Sequence, residues 1–97
     1  MADWFLYVIE TDGGRLYTGI TTDVERRFAE HESGKGARFM RGRKIYQLRH
    51  QQKLGSRSLA LKAEYAFKQL RRSEKLYWIE KGHIPFDSES GKLAIID

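Results

Sequence analysis

The fold is decided by a stretch close to the start of the chain, Trp4-Phe5-Leu6-Tyr7-Val8-Ile9, which is continuously apolar and rich in aromatic and β-branched residues. Such a run predicts a strand that is buried on both faces and lies at the centre of a sheet. Thr11-Asp12-Gly13-Gly14-Arg15 supplies turn residues, and Leu16-Tyr17-Thr18-Gly19-Ile20 resumes the extended pattern. These three pieces predict a β-hairpin in which Tyr7 and Tyr17 lie on neighbouring strands, nearly opposite one another.

A helix and a third strand are predicted after the hairpin. Thr22 and Glu25 form a capping-box pattern in front of a helix over 23–32, and Gly34 is a stop signal. Residues 44–50 then predict a strand. Together with the hairpin, this strand would complete a small three-stranded sheet.

Two more helices are expected in the second half of the chain. The first is capped by a serine that follows Gly55 and runs to about Arg72, and the second runs from Ser73 to Gly82. Residues 83–97 have no pattern that assigns them to an element. The predicted fold class is therefore α/β, a small three-stranded sheet made of the N-terminal hairpin and one later strand, flanked by helices.

The composition is that of one ordinary globular domain. The chain has 97 residues, a single Pro and no Cys, so neither two domains nor a disulfide-stabilised scaffold is expected. We predict one domain over residues 1–97, with a core over about 4–80. The first residues lack the features of a secretory signal, and the longest apolar run is too short to span a bilayer. A cytoplasmic protein without membrane contact is expected.

The positive charge is concentrated in one third of the chain. Nine basic residues and no acidic residue lie between Ser33 and Ala63, whereas the rest of the chain carries nine basic and thirteen acidic residues. This distribution favours a polyanionic partner over a merely solvated face, and we expect DNA, with RNA as the alternative. The candidate DNA-binding residues lie in and beside a glycine-punctuated segment, and are Lys35, Arg38, Arg41, Arg43 and Lys44.

Two polar side chains border the stripe of the first helix that should face the sheet. The stripe contains Val24 and Phe28, and the next position in it is His31, with Arg27 one turn before on the same side. One interpretation is a snorkelling Arg and a hydrogen-bonded core His. The other is a functional site, because both side chains point toward the sheet that carries two tyrosines.

Glu64 stands out on the second predicted helix. At about 100° per residue it lies about 40° from Ala60 and about 60° from Phe67, at the edge of the apolar arc. A carboxylate there needs a positive partner. Both a salt bridge and a hard metal ion held by oxygen satisfy this need, and helix geometry alone favours the salt bridge. Without Cys no structural zinc site is expected, and His50 and His83 are predicted to be surface residues.

These residues form an ordered set along the predicted elements. The set consists of Phe5-Leu6-Tyr7, Tyr17-Thr18-Gly19, Arg27, His31 and Glu64. In this order it resembles the GIY-YIG nuclease domain, and the basic segment over 33–43 resembles in particular the small bacterial proteins that consist of this domain alone. The resemblance covers about residues 4–80.

The resemblance implies a three-stranded sheet flanked by helices, and metal-dependent hydrolysis of phosphodiester bonds in DNA. It implies that Tyr7 and Tyr17 are paired active-site tyrosines and that Arg27 binds phosphate. It also implies that His31 supports proton transfer and that Glu64 holds the metal ion, Mg²⁺ or Mn²⁺. A tyrosine is a poor base unless cations lower its pKa, and Arg27 with a metal at Glu64 is expected to supply that field.

Three hypotheses for the function follow. The first is a metal-dependent endonuclease that acts on DNA and is selective for structure or ends, because phosphate contacts carry little sequence information. The second is a non-catalytic module that binds nucleic acid on the same fold. The third is an adaptor whose basic face meets an acidic protein.

Overall fold

The structure, a computed structural model, describes residues 2–34 and 44–94. Its strands and helices are β1 (Trp4–Thr11), β2 (Leu16–Thr21), α1 (Val24–Glu32), β3 (Ile45–Gly55), α2 (Arg57–Lys68) and α3 (Arg72–Lys81). The strands form one antiparallel sheet in the order β2-β1-β3. The predicted α/β fold, with a hairpin, one later strand and flanking helices, is confirmed.

The hairpin has the predicted centre and a tight turn. Leu6, Tyr7, Val8 and Ile9 are all buried, as expected for a central strand covered on both faces. A short 3₁₀ turn over Asp12–Gly14 joins β1 to β2, and its Gly13 adopts a left-handed φ of 74° that favours glycine. The turn sets the register of the two strands.

The two faces of β1 belong to two separate clusters of side chains. Leu6 and Val8 pack with residues of α2, α3 and the segment after α3, including Phe67, Ile79 and Ile84. Tyr7 and Ile9 face the other way and pack with α1 through Val24. The sheet therefore lies between α1 on one face and α2 with α3 on the other.

The chain beyond α3 is fixed to the sheet by one amide side chain. Gln52 of β3 donates to the carbonyl of Ile84 at 2.8 Å and accepts from the amide of Ile84 at 2.9 Å. Both backbone groups of Ile84 are thus satisfied while its side chain is fully buried. The core was expected to end at about residue 80, and the buried Ile84 extends it beyond that point.

The start of the first helix and the end of the third strand differ from the predicted ones. The side chain of Asp23, not Thr22, caps α1 and accepts from the amide of Arg26. β3 continues to Gly55, well past its predicted end at His50. It pairs with β1 along the whole of β1, and the three register shifts in this ladder make β3 the longer of the two strands. Pairing with the neighbouring strand thus outweighs the local sequence of 51–55.

The boundary between the last two helices also moves. α2 ends at Lys68, before the predicted Arg72. α3 starts at Arg72 because the carboxylate of Glu74 accepts from the amide of Arg71 at 2.9 Å, which fixes the start before Ser73. Across 2–34 and 44–94, no helix is long and apolar enough to cross a membrane.

Candidate active site

Three rings meet on the α1 face of the sheet. The ring centroids of Tyr7 and Tyr17 are 6.3 Å apart, those of Tyr7 and His31 are 5.9 Å apart, and those of Tyr17 and His31 are 5.3 Å apart. Strand alternation turns both tyrosines toward α1, and the last turn of that helix brings His31 against both of them. The structure therefore brings together three of the residues expected in the site.

Gly19 makes this arrangement possible. It lies directly opposite Tyr7 in the hairpin register, whereas Tyr17 lies opposite Ile9. A Cβ atom at position 19 would lie 2.5 Å from the hydroxyl oxygen of Tyr7, so the ring can lie across β2 only because residue 19 has no side chain. From the sequence, this glycine was noted only as part of Tyr17-Thr18-Gly19. Its position inside a predicted strand was the signal for a close approach.

Tyr7 is protonated at neutral pH. Burial raises the pKa of Tyr7 to about 12, and the neighbouring Tyr17 adds to this effect. The guanidinium of Arg27 also interacts with the Tyr7 hydroxyl and lowers its pKa, but by less than burial raises it. Arg27 alone therefore does not bring the pKa of Tyr7 below its ordinary value, because desolvation of the phenolate outweighs the charge of Arg27.

His31 is buried and shares a hydrogen bond with Tyr7. Its pKa is lowered by burial and by the positive charge of Arg27, so the ring is neutral at pH 7. The hydroxyl of Tyr7 lies 2.9 Å from Nε2 of His31. A ring with its proton on Nδ1 would accept the Tyr7 proton at Nε2, and a ring with its proton on Nε2 would donate to the Tyr7 oxygen.

Arg27 lies at the exposed margin of the site. Its Nη1 donates to Oε1 of Glu30 at 3.1 Å, with the side chains of Arg27 and Glu30 32% and 35% exposed. Oε2 of Glu30 lies 3.6 Å from Nε of Arg26. Sequence reasoning missed Glu30, although an acidic residue three positions after an arginine on a helix is the usual signal of such a pair.

Glu64 lies on a different element from these four residues. It lies on α2, which packs on the other face of the sheet through Ala60, Ala63 and Phe67. Its side chain is 20% exposed and its Oε2 lies 3.2 Å from Nζ of Lys68. The salt bridge that helix geometry favours is therefore present. No group of three His, Cys, Asp or Glu side chains suited to a metal occurs in 2–34 and 44–94.

Most of the expected DNA-binding residues, Lys35, Arg38, Arg41 and Arg43, lie outside the described residues. Lys44 is exposed immediately before β3. Its carbonyl accepts from the amide of Asp12 at 2.9 Å. The end of the basic segment therefore adjoins the turn of the hairpin.

His50 was predicted to be a surface residue, and this is wrong. The side chain is buried on β3 and its Nε2 lies 3.0 Å from Oε1 of Gln52, the residue that holds Ile84. Burial lowers the pKa of His50. Because β3 extends past residue 50, this position is in the middle of a paired strand and not at its exposed end.

We expect the protein to lose stability between pH 7.5 and pH 5. The pKa values of His31 and His50 are lowered in the folded protein, so the unfolded chain, with its ordinary value of about 6.5, binds more protons as pH falls. The contribution of the two neutral histidines to the free energy of unfolding is complete above about pH 6.5. Below that pH it is lost, by at most about 1.4 kcal/mol per pH unit for each histidine. Urea unfolding at pH 7.5, 6.5, 5.5 and 5 measures this loss.

The matched controls for this loss are His50→Gln and His83→Gln. His83 is exposed, but its charge contributes to the lowered pKa of His50, so its replacement should flatten the slope of stability against pH only slightly. Replacement of His50 should flatten it. Equal slopes for all three proteins would show that the buried histidines do not cause the acid sensitivity.

Comparison with known proteins agrees with the geometry. A family model described as the GIY-YIG catalytic domain matches residues 3–77. The UPF0213 protein YhbQ of Escherichia coli O127:H6 is 50% identical over 84 residues, which cover 87% of this chain and 84% of that protein. The YhbQ protein of Shigella boydii serotype 18 is 51% identical over 82 residues, with 84% and 82% covered.

A solved structure is similar as well. The solution NMR structure of the UPF0213 protein BH0048 from Bacillus halodurans is 40% identical and superposes with a TM-score of 0.54. The match covers 82% of this chain and 86% of that one. The tyrosine pair, the fold and these matches lead to one assignment: the chain belongs to the GIY-YIG family, within the nuclease superfamily.

Proposed function

We propose that the protein is a divalent-metal-dependent endonuclease that hydrolyses phosphodiester bonds in DNA. The observation that carries this proposal is the hydrogen bond between the Tyr7 hydroxyl and the neutral, buried His31, with the guanidinium of Arg27 at the same oxygen. An acceptor for a proton and a cation for phosphate thus lie side by side. These are two of the groups that phosphodiester hydrolysis needs.

In this proposal Tyr7 and His31 move a proton together. As water attacks phosphorus, its proton passes to the Tyr7 oxygen while the Tyr7 proton passes to Nε2 of His31. Tyr7 therefore never has to exist as a free phenolate, which its raised pKa would oppose. The P–O bond to the leaving oxygen breaks with its electron pair on that oxygen, and His31 carries the positive charge until it releases the proton.

Arg27 binds the phosphate in the same proposal. A guanidinium donates to two non-bridging oxygens at once, and its charge opposes the negative charge that develops on them. The half-exposed side chain of Arg27 is accessible to such an anion. Tyr17, whose ring packs against both Tyr7 and His31, fixes their relative orientation.

Glu64 is the residue that would hold Mg²⁺ or Mn²⁺. A single accessible carboxylate fits a cation that keeps most of its waters and takes further ligands from substrate. When bound there, the ion would supply Lewis acidity and positive charge to the phosphodiester. To hold it, the carboxylate must release the ammonium group of Lys68, which now lies 3.2 Å away.

Selectivity for DNA structure or ends is part of the proposal. The basic residues between Ser33 and Ala63 provide contacts to phosphates, and such contacts do not distinguish base sequences. The test is incubation with branched, nicked, single-stranded and duplex DNA in Mg²⁺, Mn²⁺ or EDTA. We expect metal-dependent product that differs among DNA structures and not among sequences.

One observation favours a second function, a non-catalytic module that binds nucleic acid. Glu64 already has a cationic partner in Lys68, and the residues described around it do not complete a metal site. In that case the protein would bind the same DNA molecules without cutting them, with or without metal. The incubation above distinguishes the two functions.

We expect Glu64→Gln to abolish metal-dependent cleavage while DNA binding stays within about twofold, because the amide keeps the shape but loses the charge that holds the metal. Stability should change by no more than about 0.5 kcal/mol, since Glu64 and Lys68 form a partly exposed i,i+4 pair. Cleavage rates, DNA affinity and thermal melts in EDTA measure the three quantities.

The matched control is Lys68→Gln, which removes the same ion pair but leaves the carboxylate. It should retain cleavage. If Lys68→Gln and Glu64→Gln lost cleavage equally, Glu64 would act through the salt bridge, and the metal assignment would be wrong.

A further inference from the structure

The carboxylate of Glu30 occupies a donor of the arginine proposed to bind phosphate. Its Oε1 accepts from Nη1 of Arg27 at 3.1 Å. The same guanidinium interacts with the hydroxyl of Tyr7 on the sheet side. Arg27 is therefore held from two directions, by a buried phenol and by a half-exposed carboxylate of its own helix.

A carboxylate and a phosphodiester bind a guanidinium in the same way. Each is an anion whose oxygens accept from N–H groups of the planar fork, so the two compete for the same donors. With Glu30 bound at Nη1, Arg27 cannot offer all of its outward-facing donors to a phosphate. The negative charge of Glu30 also opposes the approach of that phosphate.

Arg26 provides Glu30 with a second partner. Oε2 of Glu30 lies 3.6 Å from Nε of Arg26, a side chain that is 77% exposed and thus able to follow it. Glu30 can therefore leave Arg27 without becoming an unpaired charge. Exchange of the carboxylate for a phosphate at Arg27 requires only a side-chain movement at the margin of the site.

We propose that Glu30 is a positioning residue that holds Arg27 beside Tyr7 in the free protein and gives way to a phosphodiester. The carboxylate keeps the guanidinium in place before substrate arrives, and it weakens the binding of any anion that does not displace it. The inference rests on the proposed function only in taking the ligand to be a phosphate of DNA.

The probe that tests it is dimethyl phosphate, a phosphodiester monoanion that lacks bases and sugar. We would titrate it in EDTA into wild type, Glu30→Gln and Glu25→Gln, following the Nε–H resonance of Arg27 by NMR. Glu25 is exposed on the same helix, so Glu25→Gln removes an equal charge away from the Arg27 pair. We expect a dissociation constant about twofold to fivefold lower for Glu30→Gln, and an unchanged one for Glu25→Gln.

Three results would overturn the inference. The first is an equal dissociation constant for wild type and Glu30→Gln. The second is a dissociation constant that decreases as much in Glu25→Gln as in Glu30→Gln, and the third is an Arg27 resonance that does not respond to dimethyl phosphate in any of the proteins. The second result would show a general effect of charge, and the third would show that no phosphate takes this place. Since the titration involves neither metal nor cleavage, its outcome is separate from the success or failure of the nuclease proposal.

Discussion

Replacing Arg27 with alanine is expected to lower the cleavage rate by about a hundredfold to a thousandfold. The loss of one preorganised electrostatic partner at the reacting group raises the barrier by about 2.7–4 kcal/mol. The fold should hardly be affected, because the ion pair of Arg27 with Glu30 is partly exposed and such pairs contribute about 0.2–1 kcal/mol. Single-turnover cleavage and thermal melts of the same preparations measure both effects.

Two further variants of this helix sharpen the result. Arg27→Lys should recover only part of the rate, because an ammonium group lacks the planar fork. Arg26→Ala removes the other arginine that contacts Glu30 and should change the cleavage rate by less than about tenfold. If Arg27→Ala instead lowered the melting temperature and left the turnover of folded protein intact, Arg27 would be a snorkelling surface residue.

Replacing Tyr7 with phenylalanine is the second substitution with a large expected effect. The ring remains, but the oxygen that receives the proton of water is lost, which should lower the rate by about a hundredfold to ten-thousandfold. The buried His31 also loses its hydrogen-bond partner at Nε2, so the variant should be less stable by about 1–3 kcal/mol. The cleavage rates of wild type and Tyr7→Phe are compared at a temperature at which urea unfolding curves show that both proteins are folded.

Tyr65→Phe is the matched control. Tyr65 is an exposed tyrosine on α2, and loss of its hydroxyl should change neither the rate nor the stability. A folded Tyr7→Phe protein that cuts at the wild-type rate would show that the hydroxyl takes no part in proton transfer. The role of His31 would then also have to be abandoned.

The fold could be predicted because its determinants are local. The continuous apolar run of β1 requires cover on both faces, and the structure provides it with α1 on one side and α2 with α3 on the other. Alternation along the hairpin placed Tyr7 and Tyr17 on one face, and the helical repeat placed His31 and Arg27 against them. For these four residues, local periodicity was sufficient to predict their association.

Other features depend on contacts that local periodicity does not contain. The burial of His50 depends on the length of β3, which its partner strand determines. The raised pKa of Tyr7 depends on how tightly the ring is enclosed over Gly19. The Glu64–Lys68 ion pair is the exception, because helix geometry favoured a salt bridge for Glu64 and its partner lies one turn away on the same helix.

Above all, we propose that the site around Tyr7, His31 and Arg27 hydrolyses phosphodiester bonds. The most direct test of this proposal is a single-turnover cleavage assay on end-labelled nicked and branched DNA, with wild type and Arg27→Ala side by side in Mg²⁺ and in EDTA. We expect product from wild type in Mg²⁺, none in EDTA, and a rate at least about a hundredfold lower for Arg27→Ala. Wild type that binds these substrates but never cuts them, or cutting that persists at the same rate in Arg27→Ala, would contradict it.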